Sequence, residues 1–286
     1  MAVYERTWRP YDGPRTPLRW RPLVITRYAL MDVFQSRAFT GFFALAVVPS
    51  LIGLLVVYLS NNQQLIASLG APTEFVDGLV TVFVRFLFLW QAVPAFIITV
   101  IVSPNLIGPD IHDHALPLYF SRPITRTGYA VGKLLVVATL LAPLTLLPGL
   151  LVYLLQSLMK GGGWWWDNVN IAVAYVVGHT AWITVISLLS IAIATLVRHK
   201  HAARGALIGI LLIVDAFTDL LNAMTHSTWG DLLDPLDSVF NVVLHIFKAA
   251  PPDAAPVAGS WLNLLAVALL SIWILSRRLR PHEVVS

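Results

Sequence analysis

The stretch FTGFFALAVVPSLIGLLVVYL, residues Phe39–Leu59, contains no charged side chain. A helix of about 20 apolar residues crosses the hydrocarbon core of a bilayer. Five further blocks of this kind follow along the chain, at about Gly78–Val102, Tyr129–Leu155, Ile171–Val197, Gly205–Met224 and Ser260–Leu275. Because the backbone must satisfy its own hydrogen bonds in lipid, and because the alternating pattern of barrel strands is absent, we expect an all-α membrane protein with six transmembrane helices.

The composition of the whole chain favours the same class. Charged residues make up 12% of the sequence, whereas soluble proteins carry roughly 25%. So few charges could scarcely cover the surface of a soluble domain, which argues against a soluble enzyme, a disordered chain and a nucleic-acid-binding protein. The sequence contains no cysteine, which excludes disulfides, thiolate zinc sites and a cysteine nucleophile.

The placement of the basic residues predicts the orientation. Most of the 19 lysines and arginines lie before the first block, after the second and fourth blocks, and at the C-terminus. Cytoplasmic connections carry the excess of Lys and Arg. We therefore expect a multi-pass protein of the cytoplasmic membrane with both termini in the cytoplasm. The chain is predicted to be one domain, residues 1–286, with a six-span bundle at 39–276 and a cytosolic tail at 277–286.

Two helices are predicted outside the spans. Residues 1–38 read as a cytosolic tail followed by a helix that lies in the membrane surface, because Val24, Tyr28, Met31 and Phe34 recur at helical spacing. The last outer connection carries polar residues on one helix face among apolar neighbours, namely Asp237, Asn241, His245 and Lys248. We expect a short helix there, before the sixth span.

Polar side chains inside the predicted spans are candidates for a substrate path. Charges in hydrocarbon are costly and usually face a partner or water. These residues are Arg85, His179, Asp215, Asp219 and Asn222. Arg85 and Asp219 fall at similar depth, so an ion pair between them is possible. That pair has two interpretations of equal weight: a structural contact that fixes helix packing, or part of a transport route.

The connection after the second span mixes acids, aromatics and arginines. A surface helix at about Gly108–Phe120 is predicted, in which Asp110 and Asp113 can meet cations on a partner and neighbouring apolar side chains can fill a groove. The segment Gly128-Tyr-Ala-Val-Gly-Lys133 is similar to a phosphate loop but has three intervening residues where four are needed. We therefore do not expect this chain to bind ATP. No other catalytic or metal-binding signature is recognisable in the sequence.

The run DHALPLYFSRPITRTGYAVGK, residues 113–133, resembles the membrane subunit of ABC-2 type transporters. That family shows an acidic residue, Gly-Thr-Leu, then Leu-Ser-Arg-Pro-Val/Ile-Ser/Thr-Arg and a Gly-Lys that begins the third span. The present chain departs from the pattern at Ala115-Leu116, which lacks Gly-Thr, and in having Asp-Ile-His-Asp instead of a Glu-rich run. The resemblance extends to the layout: a surface helix, six spans and a helical outer connection before the last.

The resemblance implies a type V exporter-like permease fold and a transport function. In that family the loop after the second span is a coupling helix that docks on a separate ATPase. By resemblance the coupling residues are Asp110, Asp113, Tyr119, Ser121, Arg122 and Arg126. Two permease chains and two ATPase subunits would form the transporter, usually an exporter. ATP and Mg would bind the ATPase, and the permease itself would need no cofactor, metal or catalytic residue.

Two other classes of function remain open from the sequence. The face of Asp215 and Asp219 also suits a self-contained secondary transporter or ion channel, although inverted repeats, which would favour that class, are not visible. A membrane-embedded enzyme that uses Asp215 and His179 is the weakest alternative because no known catalytic signature accompanies these residues.

Overall fold

The computed structural model describes residues 13, 16–62, 68, 73–121, 124–197, 199–248 and 250–279, with the side chains of 73–90 excluded. Within this part of the chain every regular element is helical. Eleven α-helices follow one another, with 3₁₀ turns at Leu18–Trp20 and Gly230–Leu232. The helices are α1 (Arg21–Phe34), α2 (Arg37–Ser60), α3 (Thr73–His112), α4 (Leu116–Phe120), α5 (Arg126–Leu141), α6 (Leu146–Lys160), α7 (Gly162–Asp167), α8 (Val169–Leu196), α9 (Lys200–Thr225), α10 (Pro235–Ile246) and α11 (Val257–Arg278).

The helices include five that are long and apolar enough to cross a membrane. They are α2, the Gln91–His112 part of α3, α8, α9 and α11. Helices α5 and α6 together meet the same criterion, with a bend of 40° between them. The prediction of an all-α chain with multiple apolar spans is therefore confirmed, with five spans or six if the bent pair is counted as one.

The bend between α5 and α6 lies inside the predicted third span. Pro143 falls in the four-residue break, where its missing N–H removes one backbone hydrogen bond of the helix. The hydroxyl of Thr145 donates to the carbonyl of Leu141 at 3.0 Å and so satisfies one group at the break. The sequence predicted one uninterrupted block here, and the proline divides it.

The predicted surface helix at Gly108–Phe120 is also divided. Helix α3 continues without interruption to His112, and the five-residue α4 begins at Leu116. Between them His114 adopts a left-handed backbone with φ 53°. A residue in this conformation ends a right-handed helix. The backbone N–H of Ala115 then donates to the carbonyl of Asp110 at 2.9 Å, which closes the turn.

Helix α8 forms the centre of the bundle. It contacts α3, α5, α6, α9, α10 and α11. Its small and branched side chains, among them Ile186, Ile191 and Ala192, are buried at the core. Ser190 accepts a hydrogen bond from Ser103 of α3 at 2.9 Å, entirely within the core. By contrast, α2, α9 and α11 present rows of exposed apolar side chains, as helices that face lipid do.

The two ends of the bundle differ in charge. At one end the guanidinium of Arg204 reaches the carbonyl of Ile101 at 3.4 Å, and the rings of His112 and His199 lie 6.4 Å apart. We call this end the basic end, because the helix termini there carry Arg37, Arg126, Lys200, Arg204 and Arg277. The opposite end is the acidic end, with Asp167, Asp231, Asp234, Asp237 and Asp253.

Helix α1 lies across the beginning of α5 at the basic end. The hydroxyl of Thr26 donates to the carbonyl of Gly132 at 2.8 Å in a buried position. A Cβ atom at Gly132 would lie 2.8 Å from the carbonyl oxygen of Pro22, so only glycine permits this approach. The other face of α1 exposes Val24 and Tyr28. An apolar exposed stripe opposite a packed face is what an interfacial helix requires.

Replacing Gly132 by Ala tests this close packing. Because the added methyl group would meet the α1 backbone, we expect a loss of about 1–3 kcal/mol in stability, the usual range for overpacking. The loss would be measured as a lower Tm of the purified chain in detergent. The matched control is Gly41→Ala, since a Cβ at Gly41 meets nothing within 4 Å. Equal Tm values for the two variants would contradict the packing described.

Candidate functional site

Three side chains converge at the basic end, and we call them the basic-end clamp: Asp110, Tyr129 and Lys133. The ammonium of Lys133 lies 2.8 Å from Oδ2 of Asp110. The hydroxyl of Tyr129 donates to the same oxygen at 2.5 Å. The side chain of Lys133 is only 8% exposed and that of Asp110 17%, so the ion pair is largely removed from solvent. The two donors on one carboxylate oxygen offset much of the free-energy cost of removing these charges from water.

The clamp joins the end of α3 to the beginning of α5. Besides its ion pair, Lys133 donates to the backbone carbonyl of Leu106 at 2.5 Å. Tyr129 and Lys133 are four residues apart on α5, so they lie on the same helix face. Gly132 lies on a neighbouring face and admits α1. The segment that is similar to a phosphate loop is therefore a packing pattern: an aromatic and a lysine face α3, and a glycine faces α1.

Aromatic rings connect α4 to the clamp. The ring of Tyr119 lies 5.1 Å from that of Tyr129, and Phe120 contacts Tyr129 edge-on at 6.0 Å. The ammonium of Lys133 lies 5.4 Å from the ring centre of Tyr129 and 5.9 Å from that of Tyr119. Cations near aromatic faces are attracted by the ring quadrupole. These contacts hold the inner side of α4 against α5.

A groove separates α4 from α1. It has a volume of about 730 Å³ and is open to solvent. One wall consists of α1 residues that include Val24, Tyr28 and Asp32, and the other includes Leu118. Lys133 and its partners form the base of the groove. The groove thus combines exposed apolar side chains with an exposed carboxylate at Asp32.

The predicted coupling residues divide into two sets in the structure. Asp110 and Tyr119 point inward and belong to the contacts just described. Asp113 is 67% exposed and pairs with His112 at 2.8 Å. Ser121 donates to the carbonyl of Leu118 at 2.9 Å and so ends α4, and Arg126 is exposed at the first turn of α5. Arg122 lies outside the described residues.

Sequence reasoning missed Tyr129 and Lys133 as site residues. Both occur in the motif that carried the family resemblance, but only contacts across about 20 residues of chain reveal that they share Asp110. The one available signal was their spacing of four, which places an aromatic hydroxyl and an ammonium on one face at the start of an apolar helix. A lysine about two turns inside such a helix needs a partner.

A second group of polar side chains lies at the acidic end. The carboxylate oxygens of Asp215, Asp234 and Asp237 all lie within 4.8 Å of one another, and we call these residues the acidic triad. Asp234 is buried and caps α10 by accepting from the backbone N–H of Leu236 at 2.6 Å and of Asp237 at 3.4 Å. Oxygen ligands of this kind suit a hard divalent cation. The sequence predicted the Asp215 face but not its meeting with α10.

Burial raises the pKa of Asp237, the half-buried carboxyl of the acidic triad, to about 7. Repulsion by other carboxylates acts in the same direction, from Asp234, Asp231, Asp215 and Asp219. Burial also raises the pKa of Asp234, although its two backbone hydrogen bonds oppose the shift. Asp234 and Asp237 therefore hold their protons more tightly than isolated carboxyls would.

Asn222 closes the turn that follows α9. Its amide donates to the carboxylate of Asp231, and its carbonyl oxygen accepts from the backbone N–H of Gly230 at 2.7 Å. The C-terminal cap of α9, His226, is left-handed with φ 49°. In the structure Asn222 holds the 3₁₀ turn of the acidic end, and its role in a substrate path stays a prediction.

The remaining predicted intramembrane residues are placed as follows. His179 is buried in α8, donates from Nδ1 to the carbonyl of Tyr175 at 2.9 Å, and stacks on the Tyr175 ring at 5.5 Å. Asp219 is exposed on α9. The side chain of Arg85 lies outside those described, so its pairing with Asp219 stays a prediction.

Comparison of the chain with protein-family models and with curated proteins gives no match. The geometry of the two ends therefore carries the functional argument.

The clamp predicts a specific pattern of stability changes. Lys133→Met leaves the Asp110 carboxylate buried without its cation, so we expect a loss of about 3 kcal/mol. Adding Asp110→Asn removes that uncompensated charge, and the double variant should lose less than the sum of the single losses. The measurement is Tm in detergent, with Lys200→Met as control, because Lys200 is exposed at the same end. Additive losses would show that the pair is not coupled.

The acidic triad predicts a dependence of stability on pH. The pKa of Asp237 rises from 3.8 to about 7 on folding, so the folded state binds more protons between these values. The free energy of unfolding should therefore fall as pH rises from 3.8 to 7 and then level off. Allowing for solvent screening at this half-buried group, we expect Tm to fall by about 2–4 °C.

Asp237→Asn should reduce this slope, since the amide does not titrate. Asp253→Asn is the control, because Asp253 is an exposed carboxyl at the same end. If Asp237→Asn leaves the dependence of Tm on pH unchanged, the raised pKa of Asp237 is contradicted.

Proposed function

We propose that the chain is the permease subunit of an ATP-driven ABC exporter of the cytoplasmic membrane. The support is an all-helical chain with several apolar spans and, at the basic end, a short helix that projects from the connection between two of them. The basic end would face the cytoplasm, in accordance with the excess of Lys and Arg there. ATP and Mg would bind a separate ATPase subunit.

The observation that carries the proposal is the position of α4. Its outer side chain Leu118 is 72% exposed, while Tyr119 behind it packs on Tyr129. A five-residue helix is too short to be stable alone. The contact of Tyr119 with Tyr129 holds α4 in place, so that its opposite side is available to a partner. Interfaces are anchored by apolar side chains that fill pockets on a partner. Asp113 before α4 and Arg126 after it are both exposed, and in the proposed complex they would supply charges at the edge of this interface.

The exposed face of α9 favours an assembly that contains a second permease chain. It exposes Asp215 and Asp219 on a helix whose other exposed side chains are mostly apolar, including Ile213, Phe217 and Leu220. A carboxylate facing hydrocarbon costs several kcal/mol. Covering this face with a second copy, or lining a polar route between two copies, would remove that cost. The proposed transport path therefore runs along α9.

A second candidate function is a self-contained transporter driven by a proton gradient. The acidic triad favours it, because three carboxyls within 4.8 Å include one with a pKa of about 7. A carboxyl of that pKa can bind and release a proton near neutral pH. In this case no ATPase would be required, and the triad rather than α4 would be essential.

Affinity purification of the full-length chain from its own cells tests the first proposal. We expect an ATPase with a Walker A motif to co-purify, and Leu118→Ala to reduce its yield about tenfold, the usual effect of losing a strong interface anchor. The matched control is Leu158→Ala, because Leu158 is 81% exposed at the far end of the bundle.

Two results would contradict the permease proposal. One is purification of the native chain without any ATPase. The other is proton-driven flux through the purified chain alone in liposomes that Asp237→Asn abolishes, which would instead establish the second candidate.

A further inference from the structure

We propose that the basic-end clamp transmits movement from α4 to the third span, with Tyr129 and Lys133 as its positioning residues. The inference rests on the proposed function, since it assigns to these residues the step between docking of the ATPase and rearrangement of the spans. Neither residue belongs to the exposed docking surface.

Helix α4 has few connections through which a push could travel. It contains five residues, and the left-handed backbone of His114 separates it from α3. The backbone bond from Ala115 to the carbonyl of Asp110 fixes the turn to the end of α3. The side-chain route runs from Tyr119 to Tyr129 at 5.1 Å. Leu116 is also buried in the core. Force applied to α4 therefore reaches the bundle at Asp110, at Tyr129 and at the core around Leu116.

The contacts around the clamp make four helices move as one unit. Oδ2 of Asp110 binds both donors of α5, and Lys133 also holds the carbonyl of Leu106 in α3. At the residue before Lys133, Thr26 of α1 donates to the carbonyl of Gly132. Separating a buried ion pair leaves each charge buried without its partner, which costs free energy. The contact between Lys133 and Asp110 therefore resists separation. The ends of α3 and α5 therefore shift together with α4 and α1.

The bend between α5 and α6 allows this movement to change the orientation of α6. The two helices meet at 40°, with Pro143 in the break. Broken helices of this kind concentrate rotation at a few residues. A displacement of α5 at the basic end can thus change the angle of α6, whose far end reaches the acidic end at Lys160. Coupling through rigid elements and packed contacts has this form.

A purely structural clamp would predict something different, namely loss of folding or of docking but no selective loss of transmission. Three variants separate these roles. Lys133→Met removes the ion pair, Tyr129→Phe removes one hydrogen bond and keeps the ring contacts, and Lys133→Arg keeps the charge. Lys200→Met is the matched control for loss of an exposed lysine at the same end.

The experiment uses the full-length chain bound to its co-purified ATPase in lipid nanodiscs. Since the sequence has no cysteine, Trp166→Cys and Asp253→Cys introduce two defined positions for spin labels. Trp166 is 74% exposed, and both residues lie at the acidic end. The distance between the labels is measured with and without ATP, and the amount of bound ATPase is measured in the same sample.

We expect ATP to change the label distance in the otherwise native chain and in Lys200→Met. In Lys133→Met the equilibrium between the two distances should respond about tenfold less, within the usual range of coupling between sites. Tyr129→Phe should reduce the response in the same direction, and Lys133→Arg should restore it. The response is compared per bound ATPase, because a looser α4 in Lys133→Met also weakens docking.

Three outcomes would overturn the inference. A full response in Lys133→Met would show that the clamp does not transmit movement, and a response that falls only in proportion to bound ATPase would show that it acts in docking alone. If Lys133→Met does not fold, a full response in Tyr129→Phe, which preserves the ion pair, overturns the inference. Absence of any ATPase from the native chain is different, because it defeats the proposed function and the transmission role with it.

If no ATPase co-purifies, hydrogen exchange of the backbone amides in the isolated chain still tests whether the clamp joins α4 to α5. Lys133→Met should raise exchange in residues 116–121 and in the first turns of α5 together, because both depend on one contact. Faster exchange in only one of these segments would show that the clamp does not join them.

Discussion

The basic end of the molecule depends on one buried ion pair between Lys133 and Asp110. Without it, a lysine about two turns inside an apolar helix and an aspartate near the end of another would each carry an isolated charge. The pair therefore requires the end of α3 to lie beside the first turns of α5. Around it, the rings of Tyr129 and Tyr119 contact each other at a tilted angle, and α1 lies against Gly132. The arrangement of four helices thus follows from satisfying one ammonium and one carboxylate.

Charge is handled in opposite ways at the two ends. At the basic end a cation and an anion neutralise each other inside the protein, with hydroxyl and carbonyl groups completing their hydrogen bonds. At the acidic end the carboxylates of Asp215, Asp234 and Asp237 gather with their charges unopposed within the triad. The acidic triad includes Asp237, whose raised pKa of about 7 makes this end of the molecule respond to pH.

The sequence was most informative where one property dominates over many residues. Spans such as α2, α8 and α11 follow directly from long apolar blocks, and the stripe of Val24 and Tyr28 indicated α1. It was less informative where a single residue decides. His114 divides the predicted surface helix, and Pro143 bends the third span. In both cases local backbone geometry prevailed over the average hydrophobicity of the segment.

The site could be predicted only in outline. The motif indicated the region of α4, and Asp110 was selected from it as a residue that meets a partner. The structure shows that its partners Tyr129 and Lys133 lie within the same chain. The acidic triad illustrates the same limit, since Asp215 and Asp237 come from helices that only the folded topology brings together. Contacts between segments distant in sequence leave no periodic signal in either segment.

The capping role of Asp234 has a consequence for the energy landscape of the acidic end. Its carboxylate is fixed by two backbone N–H groups at the start of α10, yet the same position holds it against two other carboxylates. Local structure and long-range electrostatics therefore favour different arrangements there, which is a case of frustration in an otherwise consistent fold. Local separation at the start of α10 would therefore relieve the repulsion between the three carboxylates, at the cost of the two capping hydrogen bonds.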